Sequence, residues 1–468
     1  MPANKVILYN PRSVFYTMPL ALLALGSYLD PEKYHVIILD GRIDDEDTIL
    51  KACEGAICFG VTVLTGAPIH DALAVTRKVK NHFPQLPTVW GGWHPSLFPK
   101  ETLDEQTVDV VINGQGEIPF AALLDAIVAA KPLDTINGIY FKKNGRITAT
   151  LPQPMANIET FPKLNYDLIP VEKYFILKKR RQLDYISSQG CRFRCTFCAD
   201  PFMYKRGWYG FSPQRMGEEL EGLWNKYHFD DVNFQDETFF TNRDRVEGIA
   251  NEILKRDLHF TWFGTMRADQ GARMDDALFA LCKRSGLRKV MIGIEAGSQE
   301  MMDWMKKDIK IEQVYDSAEK CLRHGIDIIF NIILGFPHES PESIDESLRV
   351  ARQLRKMSPG FELGIFYFKA YPGNAIADEL LKEGYQFPVG LEEWANFDYV
   401  GSSNDWISAA QFDRIEAFKF YQRIGWNRSP ALFTPVKKIA QWRCKKNRYA
   451  LPVEKIIYEW MRPPLRLS

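Results

Sequence analysis

The stretch Ser188-Gln189-Gly190-Cys191-Arg192-Phe193-Arg194-Cys195-Thr196-Phe197-Cys198, SQGCRFRCTFC, draws three of the chain's eight cysteines into eight residues. Thiols this close together in a reducing compartment point to metal or redox chemistry rather than to disulfides. A closed zinc site wants four ligands, and the nearest further candidates, His228 and Cys282, belong to other units of the sequence. A four-iron cluster also takes four cysteines as a rule, so three leave one iron open to a substrate or cofactor. Burial of the three as small hydrophobes fits poorly with Arg192, Arg194 and Thr196 beside them.

Working outward, six strand-like runs follow in order, near 184–187, 231–235, 261–265, 289–294, 328–334 and 363–368. Helical patterns separate them, and six such units in series suggest a partial version of the eight-fold βα barrel. The cysteines lie just past the first strand, at the end of a barrel where chemistry sits. On the amino side, the runs VILY (from Val6), VIIL (from Val36), AICFGVTV (from Ala56), PTVW (from Pro87) and VDVVI (from Val108) alternate with helical patterns at 19–29 and 69–83. That alternation is expected of a doubly wound parallel sheet. Its strand-end loops NPRS, DGR, TVLTG, GGWHP and NGQGE converge where such sheets bind ligands, and Gly91, Gly92, Gly114 and Gly116 either admit a bulky ligand or make tight turns. His70 and His94 read as surface or locally hydrogen-bonded rings.

The expected order is therefore α/β throughout: a Rossmann-like sheet domain over 1–135, a hairpin turned at Asn144-Gly145 with a Pro-punctuated linker over 136–178, a partial (βα)6 barrel over 179–390, and a mainly helical region over 391–468. The chain has 468 residues, enough for two to four domains at roughly 100–200 residues each. Its 59 basic and 59 acidic residues balance, which gives no footprint for nucleic acid. No run approaches the ~20 apolar residues of a membrane span, and MPANKVILYNPRS lacks a signal peptide's pattern, so a cytoplasmic home is expected.

At Cys191-x-x-x-Cys195-x-x-Cys198, with Phe197 before the last cysteine, the chain resembles the radical S-adenosylmethionine superfamily. The resemblance implies a [4Fe-4S] cluster on Cys191, Cys195 and Cys198, whose open iron is chelated by S-adenosylmethionine, and an external one-electron reductant such as flavodoxin or ferredoxin. It extends along the barrel. FQDETFF makes Asp236 and Glu237 candidates to receive the methionine amino group; TMRAD makes Arg267 a candidate to pair a carboxylate; IGIEAGSQE makes Glu295 and Ser298 candidates for the ribose; ILGFPHES and YPGN are similar to the last two strand ends.

The first domain is similar to the B12-binding domain of cobalamin-dependent radical enzymes, so that the resemblance covers roughly residues 5–390. It implies that Thr62, Leu64, Thr65 and Gly66 of TVLTG face the corrin and that Gly91 and Gly92 lie near its nucleotide tail, with Gly114 and Gly116 as further cofactor-binding candidates. The Asp-x-His-x-x-Gly motif is absent. That absence is shared by members whose cobalt lacks a histidine ligand and by a domain that has lost cobalamin.

The activity implied is methylation of an unactivated carbon of a small-molecule or lipid-like substrate. Rivals are a radical cyclase or rearrangement like that of the anaerobic Mg-protoporphyrin monomethyl ester cyclase, and a cluster- or cobalamin-binding protein without catalysis. Transfer RNA methylthiolation enzymes carry three more cysteines in the first domain, where this chain has only Cys53 and Cys58. Trp93, Trp208, Tyr209, Phe366, Tyr367 and Trp394 point to an apolar or planar substrate or else to core. From Phe433 the tail mixes basic residues with Trp442, Tyr449, Tyr458 and Trp460, which suits a helix over the barrel mouth or a peripheral membrane contact.

Overall fold

The computed structural model describes residues 4–426, 434–450 and 452–455, gathered into two compact units. One runs to Trp262 and takes in Ala370–Tyr399; the other holds Phe263–Lys369 and the described chain from Val400.

The first unit opens with β1 (Asn4–Asn10), β2 (Tyr34–Asp40), β3 (Ala56–Thr62), β4 (Thr88–Gly91) and β5 (Val110–Ile112). These strands are parallel, in the order β2-β1-β3-β4-β5. Four consecutive residues of β1, Val6 to Tyr9, are buried, as a strand covered on both faces requires. Helices Leu20–Tyr28 and Pro68–His82 fall where their apolar periodicity predicts them. Phe59 and Trp90 are wholly buried in this core, and truncating such an aromatic costs about 3–5 kcal/mol. The Trp90 indole N–H is satisfied by Thr76 Oγ1 at 3.2 Å.

The hairpin forms as β6 (Ile139–Lys143) and β7 (Arg146–Ala149), with Asn144 and Gly145 both at positive φ. It is no free-standing linker element. β6 pairs antiparallel with β5 and extends the sheet to seven strands, burying Ile139 and Phe141 and covering the edge of β5.

Next come β8 (Gln182–Tyr185), β9 (Ser188–Gly190), β10 (Trp208–Gly210) and β11 (Asp231–Phe234). β8 and β11 pair in parallel, while β9 and β10 form a separate antiparallel pair that brackets the cysteine loop. β12 (Thr261–Met266) begins in this unit and continues in the second, where β13 (Leu287–Glu295), β14 (Asp327–Leu334) and β15 (Phe361–Tyr367) follow in neighbouring order. β13, β14 and β15 pair in parallel. All six strands expected of the partial barrel are thus present.

The helices between them start where the sequence provides for it. Ser212-Pro213 and Ser340-Pro341 each place a hydroxyl cap before a proline at the first turn, opening Pro213–Tyr227 and Pro341–Met357.

The carboxyl-terminal region is helical as expected but divided. Helix Gly390–Ala395 belongs to the first unit, with Trp394 wholly buried in the core of the seven-stranded sheet. Helices Ala409–Gly425 and Thr434–Lys446 pack on each other in the second. Phe433, Tyr458 and Trp460 lie outside the described residues.

Candidate functional site

The chain reaches Cys191 from β8 through Ser187 and β9. Asp236, just past β11, accepts hydrogen bonds from the Ser187 N–H at 2.8 Å and from the Ser187 and Ser188 hydroxyls at 2.6 and 2.5 Å. Buried Arg245 donates to the Ser187 carbonyl and hydroxyl at 2.7 and 2.8 Å and to the Phe211 carbonyl at 2.8 Å. A buried carboxylate persists only where its lone pairs are used and a counter-charge is near. Asp236 is therefore engaged in fixing the approach to the cysteine loop.

Its neighbour Glu237 is differently placed. One oxygen accepts from the Tyr204 hydroxyl at 2.7 Å, the other from the Gly190 N–H at 3.2 Å, and the side chain borders a cavity. Burial, then the charge of Asp200, pushes its carboxyl up to about 8, while the Tyr204 hydrogen bond pulls the other way.

The cysteine loop turns at Gly190, whose φ is +93° and where a Cβ would come within 2.3 Å of the Gly207 carbonyl oxygen. Only glycine fits that position. Cys195 is buried, Cys191 and Cys198 half-buried, and none is in a disulfide. The Cys198 thiol lies well above its ordinary value, through burial first, then Asp200, and also through Cys195 and Cys191, so the three sulfurs share one neighbourhood. As they stand, no three His, Cys, Asp or Glu side chains among the described residues form a ready metal site.

The surroundings nevertheless fit an anionic, sulfide-rich group. Thr196 Oγ1, within the loop, and Trp208 Nε1, whose ring lies against Arg192, are buried without a hydrogen-bond partner, and each can donate. The far side of the loop is held by the YPGN segment. Asn374 Nδ2 donates to the Phe197 carbonyl at 3.1 Å, and the Ile376 N–H to the Thr196 carbonyl at 3.3 Å.

The cavity has a volume of about 810 Å³, within the usual range for a ligand pocket. Thr62, Leu64, Gly91, Gly92, Gly114 and Gly116 line it at the carboxyl ends of β3 to β5, and Gln189, Tyr204 and Glu237 line it beside the cysteine loop. Part of its wall is apolar, with Leu8, Ala21, Leu25, Gly60 and Phe120. Space is open at the Cβ position of Gly114. The glycine-rich rim and apolar interior fit a large cofactor with an apolar tail.

Across the cavity wall Gln115 Nε2 donates to Gln189 Oε1 at 2.7 Å, and Gln115 Oε1 accepts from the Ala156 N–H at 2.7 Å. One side-chain amide thus ties the NGQGE loop to the strand that leads into Cys191.

Two of the four TVLTG candidates, Thr65 and Gly66, do not line this cavity. Thr65 is buried against His94, with Oγ1 3.3 Å from Nδ1, and Gly66 is packed where a Cβ would meet the Tyr399 ring at 2.3 Å. His94 itself is wholly buried between Phe98 and Trp394, and burial lowers its pKa to about 3, so the ring is neutral. His70 has the expected surface position, bonded to Asn396 Oδ1 at 3.1 Å. Of the six aromatics considered for the pocket, Trp93 alone lines the cavity; Tyr367 is buried with its hydroxyl on Glu416, and Trp394 is core.

In the second unit, Arg267 is buried with Nε on Asp269 Oδ1 at 2.9 Å and a further bond to the Lys307 carbonyl. The carboxylate it pairs is thus an internal one. Glu295 ends β13 at φ +63°, beside a register shift, and accepts from Lys307 Nζ at 2.7 Å. Ser298 caps helix Gln299–Trp304 through the Met301 N–H. Tyr204 and Arg245 lie in no motif that marks them, whereas Gln115, Gln189 and Asn374 fall within NGQGE, SQGCRFRCTFC and YPGN, whose signal for these three residues is one of position alone.

The B12 binding domain family matches residues 9–124, and the Radical SAM superfamily matches residues 185–351. An uncharacterized methyltransferase of Pyrococcus horikoshii is 30% identical over 392 residues, covering 82% of this chain and 82% of that protein. The anaerobic magnesium-protoporphyrin IX monomethyl ester cyclase of Synechocystis is 25% identical over 316 residues, 66% of this chain and 62% of that one. The cytidylyl-2-hydroxyethylphosphonate methyltransferase of Streptomyces wedmorensis is 24% identical over 452 residues, 82% and 83% of the two chains. Among solved structures, the cobalamin-dependent S-adenosylmethionine radical enzyme OxsB with aqua-cobalamin bound superposes with a TM-score of 0.76 at 17% identity, over 98% of this chain and 75% of that one. That likeness is one of fold.

Proposed function

This chain belongs to the cobalamin-dependent radical S-adenosylmethionine enzymes, and from that premise we propose that it methylates an unactivated carbon of a small, apolar or lipid-like molecule. The observation that carries the proposal lies in the first unit, where one cavity is bordered both by the strand-end loops of the seven-stranded sheet and by the residues that bracket the three cysteines. When bound, the cluster with S-adenosylmethionine supplies a 5'-deoxyadenosyl radical for hydrogen abstraction, and cobalamin supplies the methyl group.

In this reading Cys191, Cys195 and Cys198 would hold the cluster, and the unpartnered Thr196 hydroxyl and Trp208 indole N–H would supply donors beside it. Glu237, anchored by Tyr204 and the Gly190 N–H, presents its carboxyl to the cavity and receives the amino group of S-adenosylmethionine. Asp236 acts one step back by holding Ser187 and Ser188. Thr62, Leu64, Gly91, Gly92, Gly114 and Gly116 would line the corrin's site, and the cavity's apolar wall would exclude water from it. Similarity to the cyclase supports a second reading, in which the same radical closes or rearranges a ring and no methyl group moves.

Anaerobic purification with iron and corrinoid quantification tests the cofactors, and methyl-labelled S-adenosylmethionine tests the reaction. The expected result is about four irons per chain, one corrinoid, 5'-deoxyadenosine formed on reduction, and label in the product. Replacing any one of the three cysteines with alanine removes the iron and the 5'-deoxyadenosine. Unlabelled product alongside 5'-deoxyadenosine favours the cyclase reading; iron-loaded protein that forms no 5'-deoxyadenosine defeats both.

A further inference from the structure

We propose that the outward face of helix Thr434–Lys446 is a docking surface for an anionic lipid membrane. The inference is independent of the reaction assigned above. Ala440 and Cys444, one turn apart, are buried on the side that packs against helix Ala409–Gly425, and Gln441 Nε2 donates to the Gly425 carbonyl at 2.7 Å. At 100° per residue that inward line places Lys438, Ile439, Trp442, Lys445 and Lys446 on the opposite side. Ile439 is 45% exposed and Trp442 47%, and at a spacing of three residues they adjoin. A helix whose inner face is already packed has no need of two large apolar side chains on its outer one.

The charge around them specifies the partner. The helix sequence TPVKKIAQWRCKK contains no acidic residue. Lys438, Lys445 and Lys446 are exposed and make no ion pair among the described residues. Arg443 is drawn aside by Glu454. Asp345 and Glu346, which share a surface depression with Asn447 just past the helix, are taken by Arg414 and Arg349.

The outer face is thus an aromatic and an aliphatic side chain ringed by ammonium groups on long apolar stems, which suits the boundary between anionic headgroups and acyl chains. A second copy of the same face brings like charges together and is disfavoured. No helix among the described residues is long and apolar enough to cross a membrane, so the contact is peripheral.

Flotation of the full-length holoprotein with vesicles of phosphatidylcholine alone, and of phosphatidylcholine with phosphatidylglycerol, tests this. The expected result is flotation with the anionic vesicles only, released by salt. The variant Lys438→Gln/Lys445→Gln/Lys446→Gln should bind about a hundred-fold more weakly, at about five-fold per lysine. Ile439→Ser/Trp442→Ser should lose binding with an unchanged melting temperature. The proposal is overturned if the wild type does not float at low salt, if neutral vesicles bind it equally, or if the lysine variant binds as the wild type does. It also falls if sedimentation shows that Ile439→Ser/Trp442→Ser instead abolishes a self-association.

Discussion

Glu237 has a carboxyl raised to about 8, a hydroxyl donor on one oxygen and a backbone N–H on the other. A carboxyl raised by folding lends stability that is complete below its ordinary value and is lost as pH rises through its folded one. The stability of the apoprotein should therefore fall between about 4.5 and about 8 on this account. Glu237→Gln should flatten that part of the profile. Tyr204→Phe, which removes a bond favouring the carboxylate, should move its upper end to higher pH. Melting temperatures across the pH range for the three proteins check this, and identical slopes in wild type and Glu237→Gln would refute it. The adjacent acids also mark the limit of what the sequence says about the site. FQDETFF shows two carboxyls, but which one is engaged by Ser187 and Ser188 and which faces open space depends on side-chain directions that only the fold supplies.

Among the elements, long strands were legible because runs such as DIIFNIIL are strand-length, apolar and β-branched, although the residue-by-residue alternation of burial along β14 is not written in them. β9 and β10 were not, since three residues each offer no periodicity, and their pairing depends on Gly190 meeting Gly207. The hairpin was legible from Asn144-Gly145, whereas its pairing with β5 was not, because turn chemistry sets a hairpin's register and says nothing of its neighbour. Helix Ala375–Lys382 joins its own stability to that of the cysteine loop. Asn374 caps it through the Ala377 N–H at 2.8 Å while holding the Phe197 carbonyl. Asn374→Ala should cost about 1 kcal/mol in denaturant unfolding and speed the loss of iron to a chelator. Asn374→Asp keeps the cap acceptor but not the amide donor, so it should recover the stability and still lose iron quickly. Equal iron retention in all three proteins would leave Asn374 a cap alone.

For the whole molecule, the grouping of the chain differs from the order of its motifs. The compact unit that contains the seven-stranded sheet runs on through the cysteine loop to Trp262, and its cavity draws walls from Pro152–Pro154 and Gln189 as well as from the strand-end loops. Hydrogen exchange with and without cobalamin should therefore show protection at residues 152–164 and 186–189 together with the loops after β3, β4 and β5. Protection that stops before residue 136 would mean that the corrin sits elsewhere. At a hundred-fold excess over its dissociation constant, bound corrinoid should also add about 2.7 kcal/mol to the unit's stability.

The hydrogen bond between the Gln115 and Gln189 side-chain amides also constrains how such chains can be recombined. A chimera that takes its first 135 residues from one relative and the remainder from another inherits the two glutamines from different parents. Where one parent lacks its partner, the splice leaves a polar group facing the cavity with no mate. Splice points inside the first 110 residues, or beyond Trp262, keep the two together.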